Sequence, residues 1–193
     1  MSTGVCVFCG GSAAIKIDLG GGFHPLAAEQ RYLSKKRYVY VWADGVYCNV
    51  RIDDKICLLV IIGSDEAGNK ALIAVSDGYR ESEASWSDVL LDLKQRGLLS
   101  APKVAVGDGA LGFWKAITKC WPETKGQRCW IHKTANVLAK LPKSIQPKVK
   151  GLLHEIWQSE TKAGANIALN NCIERYQVKY PKAIKCLEKE REA

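Results

Sequence analysis

Apolar positions come in short runs or alternate through the first half of the chain, and recur every three to four residues through the second. Strands are therefore predicted first and helices later. Residues 38–43 (YVYVWA) form a β-rich run that stops at Asp44-Gly45, residues 46–51 (VYCNVR) alternate, and Asp53-Asp54 predicts a turn. Residues 56–63 (ICLLVIIG) are continuously apolar and largely β-branched. A turn follows over 64–69, and residues 71–76 (ALIAVS) make another strand ending at Asp77-Gly78. Such short connections predict an antiparallel meander.

The period then changes. Trp86, Val89, Leu90 and Leu93 fall at helical spacing over residues 83–97, which end in a basic turn at Gly97. Beyond Pro102, residues 103–107 (KVAVG) predict a strand running into Asp108-Gly109, and residues 112–120 a helix stopped by Pro122. Residues 127–131 (QRCWI) predict a last strand. Further on the pattern is helical, over 133–139, 148–159 and 163–179, with a lysine-rich connection holding Pro142 and Pro147 and a tail after Pro181. The layout is mixed α/β. Residues 1–36, with glycine clusters at 10–11 and 20–22, show no such periodicity and are expected to be a poorly ordered leader.

Composition narrows the class. At 193 residues and 47% hydrophobic, the chain is long enough for a sizeable core, and its longest apolar run is far short of the roughly 18 residues that cross a bilayer. No basic segment precedes an apolar stretch at the amino terminus, so a cytoplasmic protein with reduced thiols is expected. Charge is asymmetric: residues 1–100 carry 11 Lys/Arg against 12 Asp/Glu, residues 101–193 carry 17 against 8. A basic second half suits a polyanion such as nucleic acid, and equally a solvated lysine-rich surface.

Asp44, Asp77 and Asp108 share one design, an apolar run ending in Asp-Gly. Turn chemistry accounts for any one of them. Carboxylates at the ends of neighbouring strands can also hold two Mg2+ ions against a phosphodiester, and the pattern leaves open which two would pair. Cys129-x-x-His132 supplies two of the four ligands of a structural zinc site, which Cys6 and Cys9 would complete. It reads equally as a buried thiol beside a hydrogen-bonded histidine, or as a histidine placed to donate to phosphate. Cys48, Cys57, Cys120, Cys172 and Cys186 are read as packing residues, and Trp42, Trp86, Trp114 and Trp157 as core. Trp130, between Arg128 and His132, is the candidate for stacking on a base. Lys133, Lys140, Lys143, Lys148 and Lys150 could track a phosphate backbone.

Three blocks together carry a resemblance. Residues 34–52 (SKKRYVYVWADGVYCNVRI), residues 104–117 (VAVGDGALGFWKAI) with Trp121-Pro122, and residues 127–142 (QRCWIHKTANVLAKLP) closely resemble the Mutator-type transposases of bacterial insertion sequences, from about Leu33 onward. The resemblance implies a ribonuclease-H-like fold: a mixed sheet, antiparallel meander plus parallel strands, flanked by helices and followed by the start of a helical insertion. It implies a leader over 1–36, a catalytic core over 37–140 and the insertion over 141–193. It carries the first two acids of an Asp, Asp, Glu triad onto Asp44 and Asp108, leaves Asp77 as turn chemistry, and maps the family's Cys-x-x-His signature onto Cys129 and His132.

A two-metal Mg2+ (or Mn2+) site, DNA as partner at element ends and target, and homo-oligomers in full-length relatives are implied as well, with Arg128, Trp130, Lys133, Lys140 and Lys143 as DNA-contacting candidates. The family's Thr-Asn-x-x-Glu-Ser context for the third acid does not occur in this sequence. The expectation is a truncated copy of a DNA transposition enzyme, inactive alone. The rival reading is a non-catalytic nucleic-acid-binding protein with a Cys/His structural metal site.

Overall fold

The computed structural model describes residues 32–49, 55–78, 80–109 and 111–189. The leader as far as residue 31, with Cys6 and Cys9, and the turn at Asp53-Asp54 lie outside the described residues. Strands β1 (Tyr40–Asn49), β2 (Lys55–Ser64) and β3 (Lys70–Gly78) lead into helix α1 (Glu83–Gln95). Then come β4 (Val104–Gly107), α2 (Leu111–Cys120), β5 (Lys125–Arg128) and the helices α3 (Trp130–Leu138), α4 (Gln146–Trp157), α5 (Lys162–Tyr176) and α6 (Pro181–Glu188). The chain divides into two compact units between Gln127 and Arg128, so α3 stands with the helical unit.

The first unit is built on a sheet of order β3-β2-β1-β4-β5. β1 pairs antiparallel with β2, β2 antiparallel with β3, and β1 parallel with β4. This is the expected ribonuclease-H-like mixed sheet, the parallel step being made by the α1 crossover. One face carries Val41, Ala43, Leu59, Ile61 and Ile73 and is covered by Trp86, Val89, Leu90 and Leu93 of α1 with Phe113, Ala116 and Ile117 of α2. On the opposite face Val60 and Ile62 are fully buried beside Val46, with Trp42, Leu58 and Leu72 packed against them. Burial on both faces is why residues 56–63 read as a continuous apolar run.

Local signals set the ends of α1. The Ser82 hydroxyl accepts from the Ser85 amide at 3.1 Å. At the other end Gly97 takes φ 100°, its amide donating to Lys94 O and the Leu98 amide to Leu93 O, each at 2.9 Å. Those two bonds make a Schellman motif, which needs a residue without a Cβ at this position. In the second unit, Val137, Leu153, Ile156, Leu169, Cys172, Ile184 and Leu187 form a separate helical core.

Several sequence expectations are corrected. β1 does not stop at Asp44-Gly45 but runs through it, because both residues are held in the ladder to β2, opposite Val60 and Leu59. The apolar residues Trp130 and Ile131 do not extend the last strand; they open α3. The tail after Pro181 is a helix with proline in its first turn, where the missing N–H costs nothing. Trp86 is core at 1% exposure, but Trp157 is 40% exposed; the buried tryptophan not anticipated is Trp121, at 3%.

Candidate active site

The parallel register places the acids. Trp42 lies opposite Val106 and Ala43 opposite Gly107, the last residue of β4. Carried on by one residue, the same register sets Asp44 opposite Asp108, and side chains at paired parallel positions share a face of the sheet. Asp44 is therefore a mid-strand residue on the central strand, and Asp108 the first residue beyond its parallel neighbour. Both are partly solvent-accessible. Asp108 is further positioned by the Trp114 indole, which donates to its backbone carbonyl at 2.8 Å, and by the Gly109 amide, which donates to its Oδ1.

Asp77 stands apart. It lies opposite Leu58 on β3, with β2 between it and β1, so strand spacing alone puts it roughly 10 Å from the Asp44 strand. Of the three Asp-Gly sites, Asp44 and Asp108 follow directly on the paired residues Ala43 and Gly107 of neighbouring strands, whereas β2 separates Asp77 from β1. A two-carboxylate donor set with open solvent access suits Mg2+, which binds few carboxylates and keeps several positions for water and substrate oxygens. Among the described residues no group of three His, Cys, Asp or Glu side chains is placed to hold a metal.

Glu81 is a neighbouring acid that sequence reading passed over. Its carboxyl lies against the backbone of Gly45, where a Cβ would come within 2.2 Å of it. Strand alternation points position 45 to the face opposite Asp44, so proximity in space does not make Glu81 a third member of the pair. Tyr47, two residues on, is pushed above its ordinary phenol value by burial, then by Cys57 and Glu81.

The Cys-x-x-His signature lies in the second unit. Cys129 is the N-cap of α3 and His132 lies in its first turn, one helical turn away rather than along a strand. Burial pushes the Cys129 thiol up, but hydrogen bonding from His132 outweighs it and holds the thiol below its ordinary value. By contrast burial raises both Cys120 and Cys172, with the charge of Glu155 adding to the second. Trp130 is half-buried against the second core, Lys143 is exposed, and Arg128, Lys133 and Lys140 line one cleft of about 530 Å3.

A family profile described as "Transposase, Mutator family" matches residues 26–193, beginning somewhat upstream of Leu33. The chain is 51% identical over 155 residues to the transposase for insertion sequence element IS6120 of Mycolicibacterium smegmatis, covering 80% of this chain and 48% of that protein. It is 55% identical over 139 residues to the transposase for IST2 of Acidithiobacillus ferrooxidans, covering 72% and 47%. The chain thus spans about half the length of the curated relatives it matches. Among solved structures it is similar to the HTLV-2 integrase catalytic core domain in complex with magnesium, at 16% identity and TM-score 0.34 over 77% of this chain and 82% of that one.

Proposed function

Because this chain belongs to the Mutator family of transposases, we propose that it carries catalytic-core machinery for DNA transposition, with Asp44 and Asp108 as the acids that hold a divalent metal. The observation that supports the reading is the β1/β4 register, whose last pair, Ala43 with Gly107, lies immediately before the two aspartates. Bound there, Mg2+ (or Mn2+) would lower the pKa of an attacking water or 3′ hydroxyl and stabilise the leaving oxygen of a phosphodiester.

The chain's own residues have three tasks in this reading. Asp44 and Asp108 supply carboxylate oxygens as the metal's protein donors. The ladder to β2 fixes the Asp44 backbone, and the Trp114 indole with the Gly109 amide orients Asp108. Cations of the second unit, Arg128, Lys133 and Lys140 among them, hold DNA phosphates. DNA at element ends and target is the partner, in full-length relatives through a homo-oligomer, and the working compartment is the cytoplasm.

Calorimetric titration of the 193-residue chain with Mn2+ tests the site. Asp44→Asn or Asp108→Asn should weaken binding by tenfold or more, and Asp77→Asn should leave it unchanged. The same pair of changes at the matching positions of a full-length relative should abolish metal-dependent strand cleavage. Equal loss from Asp77→Asn, or none from Asp44→Asn, would overturn the assignment. Strand joining by the 193-residue chain itself is not expected from two acids, and its observation would show that the pair is not the whole acidic set.

A further inference from the structure

Six cations face one space in the helical unit. Arg128, Lys133 and Lys140 on one side and Lys182, Lys185 and Lys189 on the other line the cleft of about 530 Å3, which Asn136 and Cys186 complete. Among the described residues no carboxylate lines it. All of them belong to the second unit. We propose that this cleft binds the sugar-phosphate backbone of DNA, one strand's phosphates running between α3 and α6. The proposal rests on the transposase reading and adds where, in the second unit, the substrate is held.

The spacing points to a polyanion rather than a single anion. Lys133, Asn136 and Lys140 recur at intervals of three and four, as do Lys182, Lys185, Cys186 and Lys189, so each set forms one stripe along its helix. Seven residues of helix rise about 10 Å, so each stripe, with Lys140 and Lys189 just past the ends of α3 and α6, is long enough to meet more than one phosphate of a strand. A small phosphorylated ligand is held instead by converging backbone amides at a helix N-terminus, and these stripes run toward the C-terminal ends of α3 and α6. Like charges gathered along two facing walls repel one another, a cost that an anion laid along both stripes relieves.

The six do not play one part. Lys133 is 8% exposed, and its ammonium donates to the backbone carbonyl of Lys189, the C-cap of α6. It thereby joins the two walls of the cleft. Lys140, Lys182, Lys185 and Lys189 are exposed, with flexible stems that can follow a backbone without reading bases. Sequence preference is therefore not expected from this surface.

The test is fluorescence anisotropy of the 193-residue chain with a labelled duplex of scrambled sequence, in EDTA, across a series of salt concentrations. The triple change Lys182→Gln, Lys185→Gln and Lys189→Gln should reduce the slope of log affinity against log salt by about 2 to 3 and weaken binding at low salt by well over tenfold. A triple change of equal charge outside the cleft, Lys148→Gln, Lys150→Gln and Lys179→Gln, should leave the slope within about one unit. Circular dichroism confirms that each triple is folded, and Lys140→Gln alone, on the other wall, should take about one unit from the slope. Equal losses from both triples would mean diffuse attraction and overturn the cleft. So would cleft-dependent binding of polyglutamate with no cleft-dependent binding of duplex. Because metal is absent, failure here leaves the Mn2+ result at Asp44 and Asp108 standing, and failure of that titration leaves this one standing.

Discussion

A Cβ at Gly112 would lie 2.7 Å from the Glu81 carbonyl oxygen and from the Ser82 carbonyl carbon, both backbone atoms that cannot turn aside. A Cβ at Gly45 meets only the far end of the Glu81 side chain, which can swing away. Gly151, within α4, has nothing within 4 Å. Gly112→Ala should therefore destabilise by about 1–3 kcal/mol in spite of the helix propensity it gains, while Gly151→Ala should stabilise by about 0.5–1 kcal/mol. Urea unfolding of the two variants reads both signs. Cys129 offers a second residue-scale outcome. With its thiol held below the ordinary value, Cys129 carries more thiolate at a given pH than Cys120 or Cys172, whose values are raised. Peptide mapping after iodoacetamide treatment between pH 7 and 8 should find Cys129 alkylated ahead of those two. His132→Ala should slow that labelling by raising the thiol back; an unchanged rate would discount the contact. The lowered value also links to stability: it contributes above the ordinary thiol pKa and is lost as pH falls through the folded one.

At the scale of elements, what was legible in the sequence was whatever short-range chemistry dictates. The α1 limits follow from Ser82 and Gly97, and β2 from an apolar run buried on both faces. What was not legible is settled by partners distant in sequence. Asp44-Gly45 carries the composition of a hairpin, but the ladder to β2 holds the chain extended through it and overrides the local signal. Trp130 and Ile131 are strand formers by type, and packing on the second core draws the half-buried Trp130 into a helix. The pairing of Asp44 with Asp108 came from the family resemblance, since spacing could not choose among three Asp-Gly sites; the register pairs the residues just before them, Ala43 with Gly107. The α6 lysines were passed over although their 182, 185, 189 spacing was readable; what was missing was the facing wall, more than forty residues earlier. Trp86, 1% exposed and edge-on to Phe113 at 5.1 Å, locks α1 to α2, and Trp86→Ala should cost about 3–5 kcal/mol, measured as a lowered urea midpoint.

At the scale of the whole molecule, two cores serve two chemistries. The sheet unit presents a pair of acids, and the helical unit gathers an excess of cations, 13 Lys/Arg against 6 Asp/Glu over residues 128–193. Each has its own apolar interior, so damage to one should stay local. Leu153→Ala, in the second core at 1% exposure, should raise amide hydrogen exchange in α4 to α6 while protection in β1 and β2 is unchanged. Uniform loss of protection would show a single cooperative body instead. The two acids themselves differ in how firmly they are anchored. Asp44 sits within its strand, paired to β2 and one residue past the last pair with β4, whereas Asp108 hangs one residue past the end of its strand, steered by a tryptophan and a glycine amide. In the proposed chemistry the pair would act as a vice with one fixed jaw: as the phosphorus passes from the leaving to the attacking oxygen, Asp44 would keep its place and the travel would fall to Asp108. Trp114, whose indole holds the Asp108 carbonyl, is accordingly where a change tests that difference while leaving both acids in the chain.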